Sequence, residues 1–326
     1  MDRDKGVSVV IPNYNGIAYI RDCLEAVEAD ERSVLWLHFE IIVVDNASED
    51  GSRELVETMF PDVRLIPLDK NYGFARAVNE GIRAASEEYV ILLNNDTRVF
   101  PGFAKALVRA LRRDRMAFSA SAKLISMGDP SKIDDAGDLY CALGWAFARG
   151  KDEPVSHFED PDRIFASCAG AACYRKRLFD KIGYFDEAHF AYLEDIDVCW
   201  RARIKGYHNL YEPRAKVLHA GSGASGSRYN EFKCTLSSRN SVWIAYKNMP
   251  VWQIVINLPF LIVGFGVKYI FFLKKGLGKT YADGILEGIR TCRECKKVHV
   301  RPSDLPNVLR IQAELWVNTL VRLKVG

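Results

Sequence analysis

"YVILLNNDTRV", residues 89–99, joins a run of five apolar or aromatic residues directly to two asparagines and an aspartate. The run 89–93 fits a β-strand that is covered on both faces, as in a parallel sheet flanked by helices. Asp96, just beyond such a strand, is either a turn cap or part of an active site. The residues that end the other strands decide between these two interpretations.

Strand and helix patterns alternate through the first hundred residues. Short apolar runs predict β-strands at residues 7–11, 39–44, 63–68 and 89–93. Segments with helical features separate them, including a helix predicted at 73–85. Strands separated by helices of this length form right-handed βαβ units. The sequence therefore predicts an α/β fold with a Rossmann-like, mainly parallel sheet flanked by helices.

All four predicted strands are followed by asparagine or aspartate side chains. The residues concerned are Asn13 and Asn15, Asp45 and Asn46, Asn71, and Asn94 to Asp96. Ligands of parallel sheets bind beyond the carboxyl ends of the strands, so these side chains are expected at one site. None of the four segments carries the pattern G-x-G-x-x-G, which argues against an ordinary NAD enzyme and for a nucleotide held by side chains.

The pattern is less regular after residue 115. Strands are predicted at 117–124 and 164–174, with a poorly defined connection at 126–162. A helix then carries Glu194, Asp195 and Asp197 in its first turn, where the helix dipole favours negative charge. A short strand at 216–219 ends in His219 and is followed by a glycine- and serine-rich loop at 221–227.

The composition is that of a globular protein, with 48% hydrophobic and 27% charged residues. Eight scattered cysteines and the absence of a secretion signal favour a reducing cytosol. Residues 1–227 hold 29 Lys+Arg and 36 Asp+Glu, whereas residues 228–326 hold 16 and 6. The basic end should favour an anionic surface. A nucleic-acid partner is disfavoured, because the only basic region is also the most apolar.

The most apolar run, residues 251–273, has the length of a membrane span of roughly 20 residues. Polar residues and a proline interrupt it, and aromatic and basic residues flank it. These features favour a helix lying in, or dipping into, the cytoplasmic leaflet over a full span. A buried helical hairpin is the alternative. The expected division is a catalytic domain at 1–245 and a basic, apolar, membrane-associating helical region at 246–326.

Six segments together resemble family 2 glycosyltransferases with the GT-A fold. They are VSVVIPNYNG (7–16), IIVVDNASEDGS (41–52), NYGFARAVNEGI (71–82), ILLNNDTRV (91–99), GYFDEAHFAYLEDIDVCWRARIKGY (183–207) and VLHAGSGAS (217–225). The branch that includes rhamnosyl- and galactofuranosyltransferases of bacterial surface glycans is the most similar. The resemblance covers roughly residues 5–245, and the ordered set of motifs makes it far more specific than NND alone.

The resemblance implies a metal site and a catalytic base in separate places. Asp96 matches the last acid of a D-x-D-like motif that holds Mn²⁺ or Mg²⁺ on the donor diphosphate, and His219 matches a histidine that completes that site. Asn94 stands where many members have aspartate, which favours a ribose or sugar contact. Asp195 matches the base of the family's ED motif, and Glu194 orients it or touches the acceptor. Each residue also has a plainer alternative. Asp96 would cap a turn, the acids at 194–195 would only complement the N-terminus of a helix, and His219 would be structural.

The resemblance also implies where the nucleotide sugar binds. The residues concerned are Pro12, Asn13, Asn15, Asp45, Asn71, Asn94 and Asn95, with Asp45 facing the pyrimidine ring. Arg228 and Arg239 are candidates for holding the departing diphosphate.

The expected function is inverting, metal-dependent transfer from a UDP- or dTDP-sugar to a lipid-linked glycan at the cytoplasmic face of the membrane. A polyprenyl-phosphate sugar synthase and a catalytically silent sugar-nucleotide-binding scaffold are the alternatives. The sequence leaves the donor sugar, the acceptor and the oligomeric state open.

Overall fold

A computed structural model describes residues 6–34, 37–221 and 229–325. Its strands are β1 (Val7–Asn13), β2 (Phe39–Asp45), β3 (Arg64–Pro67), β4 (Tyr89–Leu93), β5 (Thr97–Val99), β6 (Ala117–Ser126), β7 (Ile133–Asp135), β8 (Asp138–Tyr140), β9 (Ala146–Ala148), β10 (Asp162–Ile164), β11 (Ala171–Arg175) and β12 (His208–His219). Its α-helices are α1 (Ile20–Ser33), α2 (Ser52–Met59), α3 (Phe74–Ala84), α4 (Phe103–Arg113), α5 (Phe179–Ile182), α6 (Glu194–Ile204), α7 (Glu231–Asn248), α8 (Val251–Lys274), α9 (Gly278–Thr291) and α10 (Leu305–Val325).

The central sheet has the strand order β10-β12-β6-β11-β4-β1-β2-β3, and β5 and β7 pair with β12 and β6. Strands β3, β2, β1 and β4 run parallel to one another. Strand β11 is antiparallel between β4 and β6, while β12 runs parallel to β6. The predicted α/β fold, with a mainly parallel sheet flanked by helices, is confirmed.

The central strands are apolar along their length because both faces of the sheet are buried. Val10 and Leu92 pack into the hydrophobic cluster on one face, whereas Val9 and Ile91 pack into the cluster on the other. Successive side chains of a strand point to opposite faces. Helix α3 approaches so closely that a Cβ atom on Gly81 would lie 2.2 Å from Val10 Cγ1.

The structure differs from the predicted elements in its second half. The range 164–174 contains the last residue of β10, a loop and most of β11, and the connection 126–162 contains β7 and the separate β8–β9 hairpin. The strand predicted at 216–219 is the end of the twelve-residue β12. Strands of three residues are too short to give a periodic signal, which is why the pattern missed them. The loop predicted at 221–227 lies, apart from Gly221, outside the described residues.

Helix α6 is anchored to α7 through a buried charge. Asp197 is fully buried and accepts hydrogen bonds from Arg201 Nε (3.0 Å), Lys247 Nζ (2.9 Å) and Asn248 Nδ2 (2.9 Å). Burial alone would raise the pKa of Asp197, but the Arg201 and Lys247 charges hold it far below its usual range. The third acid of the first turn therefore attaches one helix to the next.

Helix α8 keeps its polar residues inside and its apolar residues outside. Gln253 and Asn257 are fully buried, and Asn257 exchanges hydrogen bonds of 2.7 and 3.0 Å with Gln312 of α10. The outward side chains are apolar, with Ile262 64% and Val263 58% exposed. A helix on the surface of a water-soluble protein has the opposite arrangement. The alternative of a buried hairpin is wrong, because α8 is one continuous helix with most of its apolar surface exposed.

Helix α8 is also the one helix among residues 6–34, 37–221 and 229–325 that is long and apolar enough to cross a membrane. Helix α10 then returns to the sheet. Ile311 and Leu315 join the hydrophobic cluster on one sheet face, and the Leu315 carbonyl accepts a hydrogen bond from Ala142 N (3.1 Å). The C-terminal helices thus share a core with the residues before them. The division at 245/246 stays a prediction.

Removing the buried charge should destabilise the fold. Asp197→Ala leaves Lys247 and Arg201 without their shared carboxylate, so the free energy of unfolding should fall by about 3–5 kcal/mol. The exposed Asp62→Ala is the control and should change it by less than about 0.5 kcal/mol. Denaturant unfolding, carried out in the same detergent for all proteins, measures the free energy of unfolding of both variants. Equal unfolding midpoints for the two variants would contradict the anchoring role.

Candidate active site

A cleft of about 920 Å³ opens at the carboxyl ends of β1, β2 and β4. Its opposite wall is formed by the start of α6, the end of β12 and the β8–β9 hairpin. The predicted site residues that line it are Pro12, Asn13, Asn71, Asn94, Asn95, Asp96, Glu194, Asp195 and His219. The tertiary structure therefore brings the strand ends and the ED segment into one cavity.

Amide side chains tie the strand ends together. Asn13 Nδ2 donates to Asp45 Oδ1 (3.0 Å) and Ser52 Oγ (2.9 Å), and Asn13 Oδ1 accepts from Asn95 Nδ2 (2.7 Å). All four residues are almost completely buried. Each buried polar group has a partner, so the network fixes the shape of this wall of the cleft.

Two of the predicted nucleotide contacts do not line the cleft. Asp45 is 1% exposed, and its carboxylate accepts hydrogen bonds from Asn13 Nδ2 (3.0 Å) and Ser48 N (3.0 Å). Asn15 points its side-chain oxygen at Glu49 N (2.9 Å). Both residues hold the loops after β1 and β2 together. Their contact with a nucleotide stays a prediction.

Asn46, which the sequence analysis placed at the end of a strand but did not assign to the nucleotide, lines the cleft instead. Asn46 Nδ2 donates to Asn71 Oδ1 (2.9 Å), and Asn46 Oδ1 accepts from Tyr72 N (2.9 Å). Successive side chains at a strand end point in opposite directions, so a shift of one residue from Asp45 changes which side chain faces the cavity. The pair Asp45-Asn46 was visible in the sequence, but the orientation of each member was not.

Asp96 and His219 meet at one end of the cleft because β5 pairs with β12, which sets Thr97 opposite His219. His219 Nε2 lies 3.4 Å from Asp96 Oδ1, and His219 Nδ1 lies 2.8 Å from Asp134 Oδ2. Lys151 also contacts Asp134. Burial alone would lower the pKa of His219, but its hydrogen bonds to Asp134 and Asp96 raise it to about 9.

These residues fit a divalent metal ion. A carboxylate oxygen and an imidazole nitrogen are suitable ligands for Mn²⁺, and oxygen ligands alone suit Mg²⁺. Histidine ligands usually donate their other ring N–H to a carboxylate, as His219 does to Asp134. A metal ligand must be a neutral imidazole, so binding would release the proton of His219. The sequence analysis missed Asp134, which no local pattern connects to His219.

The loop before α6 has a constrained backbone. Tyr192 and Leu193 have φ values of 71° and 69°, in the left-handed region that is uncommon for such residues. Asn240 of α7 is fully buried, and its Nδ2 lies 3.1, 3.0 and 2.8 Å from the carbonyl oxygens of His189, Ala191 and Tyr192. Strained conformations persist where the surroundings over-determine them. Asn240 therefore fixes the point at which α6 begins.

Asp195 and Glu194 follow that loop. Asp195 accepts hydrogen bonds from Ala169 N (3.3 Å) and Ile196 N (2.8 Å). Burial raises the pKa of Asp195, and these N–H groups partly offset it. Burial and the Asp195 charge raise the pKa of Glu194 well above its usual range. Asp195, with its two N–H donors, is the better stabilised carboxylate of the two, and a carboxylate with a raised pKa is suited to accepting a proton.

Two further carboxyl groups lie near the β8–β9 side. Asp135, Asp138 and Cys168 form a group of three close potential metal ligands. Burial and the charges of Asp134 and Asp195 raise the pKa of Asp135 to about 7. Burial and the Asp135 charge likewise raise the pKa of Asp138. Burial and mutual repulsion thus disfavour the charged forms of both carboxyl groups when no cation is bound.

Of the two arginines proposed for the diphosphate, Arg239 does not line the cleft. Arg239 stacks on the Trp243 ring, with its guanidinium carbon 4.3 Å from the ring centroid, and does not line the cavity. Arg228 lies outside the described residues. Lys233, in the first turn of α7, lines the cleft together with Asp96. The sequence analysis missed Lys233, since a lone lysine carries no pattern.

Comparisons with known proteins agree with this geometry. The model of Glycosyl transferase family 2 matches residues 8–183. The N-acetylglucosaminyl-diphospho-decaprenol L-rhamnosyltransferase of Mycobacterium tuberculosis is 29% identical over 213 residues, covering 57% of this chain and 68% of that protein. The uncharacterized glycosyltransferase YwdF of Bacillus subtilis is 30% identical over 225 residues, covering 68% of this chain and 76% of that protein.

Solved structures share the fold. GalNAc-T7 with UDP, GalNAc and Mn²⁺ matches with a TM-score of 0.58 and 17% identity, covering 75% of this chain and 48% of that chain. The matched region therefore spans about half the length of GalNAc-T7. At this level of identity the similarity concerns the fold alone.

The metal assignment predicts unequal effects of two substitutions. Asp96→Ala should abolish the increase in UDP affinity that Mn²⁺ produces, because it removes the charged ligand. His219→Ala should reduce that increase less, since Asp96 and the diphosphate remain. Calorimetric titration of UDP with and without Mn²⁺ measures both, and the exposed Glu49→Ala should match the unsubstituted protein. An unchanged Mn²⁺ effect in Asp96→Ala would refute the assignment.

Proposed function

The chain belongs to glycosyl transferase family 2, and from that premise we propose the following reaction. The enzyme moves a hexose or deoxyhexose, with inversion, from a UDP- or dTDP-sugar to a lipid-linked glycan acceptor. A divalent metal is required, and the reaction takes place at the cytoplasmic face of the cell membrane during synthesis of a surface polysaccharide. The oligomeric state is left open.

One observation carries this proposal: a single cleft contains two separate acidic centres. Asp96 and His219 form one of them, and Asp195 with Glu194 forms the other. Transfer from a nucleotide sugar places a diphosphate leaving group on one side of the anomeric carbon and the acceptor hydroxyl on the other. An inverting displacement needs a counter-charge on the first side and one base on the second. The two centres satisfy these two needs.

Asp195 acts as the base in this proposal. Its carboxylate takes the proton of the acceptor hydroxyl while the oxygen attacks the anomeric carbon and the bond to the diphosphate breaks. Glu194 lines the cleft, and its Oε2 atom is buried without a hydrogen-bond partner among the described residues. A neutral Glu194 can donate a hydrogen bond to a sugar hydroxyl there. Asn240 keeps both residues aimed at the cleft through the loop before α6.

Asp96 and His219 would hold Mn²⁺ or Mg²⁺, which supplies positive charge against the diphosphate. Lys233 adds a cation on the same side. Mn²⁺ and UDP in GalNAc-T7 support the choice of a divalent metal and a uridine nucleotide. The dTDP alternative rests on the rhamnosyltransferase branch that the sequence resembles.

The acceptor is proposed from the relatives and from α8. The rhamnosyltransferase of Mycobacterium tuberculosis is named for an acceptor attached to decaprenol through a diphosphate. In this chain, α8 exposes an apolar surface, and the basic balance of residues 228–326 favours an anionic membrane. Both features support a lipid-linked acceptor that the enzyme meets at the membrane surface.

A donor screen tests the reaction, with membrane extract as the source of acceptor. The expected result is release of UDP or dTDP from one nucleotide sugar. Asp195→Asn keeps the shape of the site but cannot take a proton, so turnover should fall by about 10²–10⁴-fold while nucleotide-sugar affinity changes little.

Each failure in this screen has a separate meaning. No release from any donor would refute the enzyme and favour a silent scaffold. Retained turnover in Asp195→Asn would favour a polyprenyl phosphate acceptor, because a phosphate ionises without a base. Equal loss of binding and turnover would make Asp195 part of the donor site.

Membrane association should depend on the outward face of α8. The protein should sediment with anionic vesicles, and high salt should release only part of it, because salt screens charge but not apolar insertion. Ile262→Glu with Val263→Glu should weaken sedimentation at least about 10-fold. Met59→Glu with Met116→Glu adds the same charge at exposed sites on other elements and is the control. Equal sedimentation of both pairs would refute insertion through α8.

Truncation before Val251 cannot test membrane association through α8 alone. It would also remove α10, whose side chains belong to the main hydrophobic core. Point substitutions on the exposed face leave that core intact.

A further inference from the structure

Lys268 is a cation on the inner side of the apolar helix α8. The residues on that side recur every three or four positions and are Gln253, Asn257, Leu261, Gly264 and Lys268. The first four are buried against the rest of the protein, whereas Lys268 is partly buried and lines the same cleft as Asp195. A lysine in an apolar helix is costly to keep unless it serves a site.

Arg322 of α10 approaches the same β8–β9 turn as Lys268. Lys268 Nζ is 5.8 Å from the centroid of the Trp145 ring, and the guanidinium carbon of Arg322 is 5.9 Å from the same ring. Arg322 is also 5.9 Å from the ring of Phe147, which lines the cleft. Two cations from two helices therefore converge on one aromatic turn at the border of the cavity.

That turn is built to stay in place. Trp145 Nε1 donates a hydrogen bond to the carbonyl oxygen of Gly264 (3.0 Å). A Cβ atom on Gly264 would lie 2.0 Å from the Leu143 carbonyl oxygen, so only glycine allows α8 to approach the turn this closely. The position of Lys268 relative to Trp145 is fixed by packing.

Neither cation has a protein carboxylate as partner among residues 6–34, 37–221 and 229–325. The ion pairs of the described chain involve neither Lys268 nor Arg322. The neighbouring Arg203 and Lys205, by contrast, are paired with Glu314 and Asp304. Partly buried cations without a counter-charge are typical of sites that bind an anion from outside.

We propose that Lys268 and Arg322 bind the diphosphate of a polyprenyl-diphosphate-linked acceptor. The isoprenoid chain then lies along the exposed apolar face of α8, and the attached sugar extends through the cleft toward Asp195. This inference rests on the proposed function, because it assigns the acceptor side of the same cavity. Charge complementarity, and the position of Lys268 on a helix that lines the cleft on one side and exposes an apolar face on the other, select this occupant over a soluble anion, which has no use for the apolar face.

Binding is tested first without transfer, on the full chain in detergent micelles with UDP and Mn²⁺ saturating the donor site. The probe is farnesyl diphosphate, and calorimetry measures its affinity. Lys268→Met with Arg322→Gln should weaken binding at least about 10-fold, since two charge-assisted contacts are lost. Lys268→Arg keeps the charge and should retain most of the affinity.

A matched pair controls for charge. Arg310→Gln with Lys324→Gln removes the same two charges from exposed positions of α10 and should leave farnesyl diphosphate affinity unchanged. Farnesol and inorganic diphosphate are the two comparison ligands in the binding experiment. Each should bind the unsubstituted protein at least about 10-fold more weakly than farnesyl diphosphate, because each lacks one half of the ligand. Equal binding of inorganic diphosphate would overturn the lipid assignment.

Transfer assays supply the second readout. With N-acetylglucosamine linked to a short isoprenoid diphosphate, Lys268→Met with Arg322→Gln should raise the acceptor KM at least about 10-fold and leave the donor KM unchanged. With the same sugar on a neutral alkyl chain, the acceptor KM should not change. Unchanged affinity for farnesyl diphosphate and unchanged acceptor KM would overturn the inference while transfer itself continued.

Two other outcomes separate this inference from its alternatives. If Lys268→Met with Arg322→Gln no longer sedimented with vesicles but kept its affinity for farnesyl diphosphate, the cations would bind phospholipid headgroups. That result would overturn the proposal. If no donor supports transfer, the proposed function fails, yet the binding experiment still decides whether these cations hold an isoprenoid diphosphate.

Discussion

The buried carboxylate of Asp197 is the constraint on which the catalytic half of this protein depends. An ionised group without water is stable only with its partners in place, and those partners come from α6 itself and from Lys247 and Asn248 of α7. This requirement locks the two helices together. The same docking brings Asn240 against the loop that precedes Asp195. A buried charge outside the cleft therefore helps to set the position of Asp195 inside it.

Helix α7 also connects the site to the apolar end of the chain. It leads into α8, whose inner face is polar and whose outer face is apolar, and α10 then returns to the core of the sheet. The side chains of Asn257 in α8 and Gln312 in α10 are hydrogen-bonded to each other. The apolar face of α8 and the cleft are thus joined through one hydrophobic core. An enzyme with a lipid-linked acceptor benefits from that arrangement, because the acceptor is held at a fixed height.

Much of the fold was predictable because its main signals are local. Apolar runs such as 89–93 specify buried strands, and their carboxyl ends must share one edge of a parallel sheet. Asn71 and Asp96 consequently lie at one edge of the sheet, as the strand pattern predicted, and the tertiary structure adds the acids at 194–195 to the same cleft. The three-residue strands of the second half were missed, since such short segments carry no periodicity.

The sequence by itself determined the class of fold, the edge of the sheet that carries the site and the apolar character of α8. Only the tertiary structure decided which polar side chains face the cleft and which are hydrogen-bonded to other parts of the protein. Asp45 accepts a hydrogen bond from Asn13, and Asp134 contacts His219 from a strand that is distant in the sequence. Arg239 stacks on the ring of Trp243. The physical reason is that partners far apart in the chain satisfy a buried polar group as well as neighbours do, and sequence spacing does not record them.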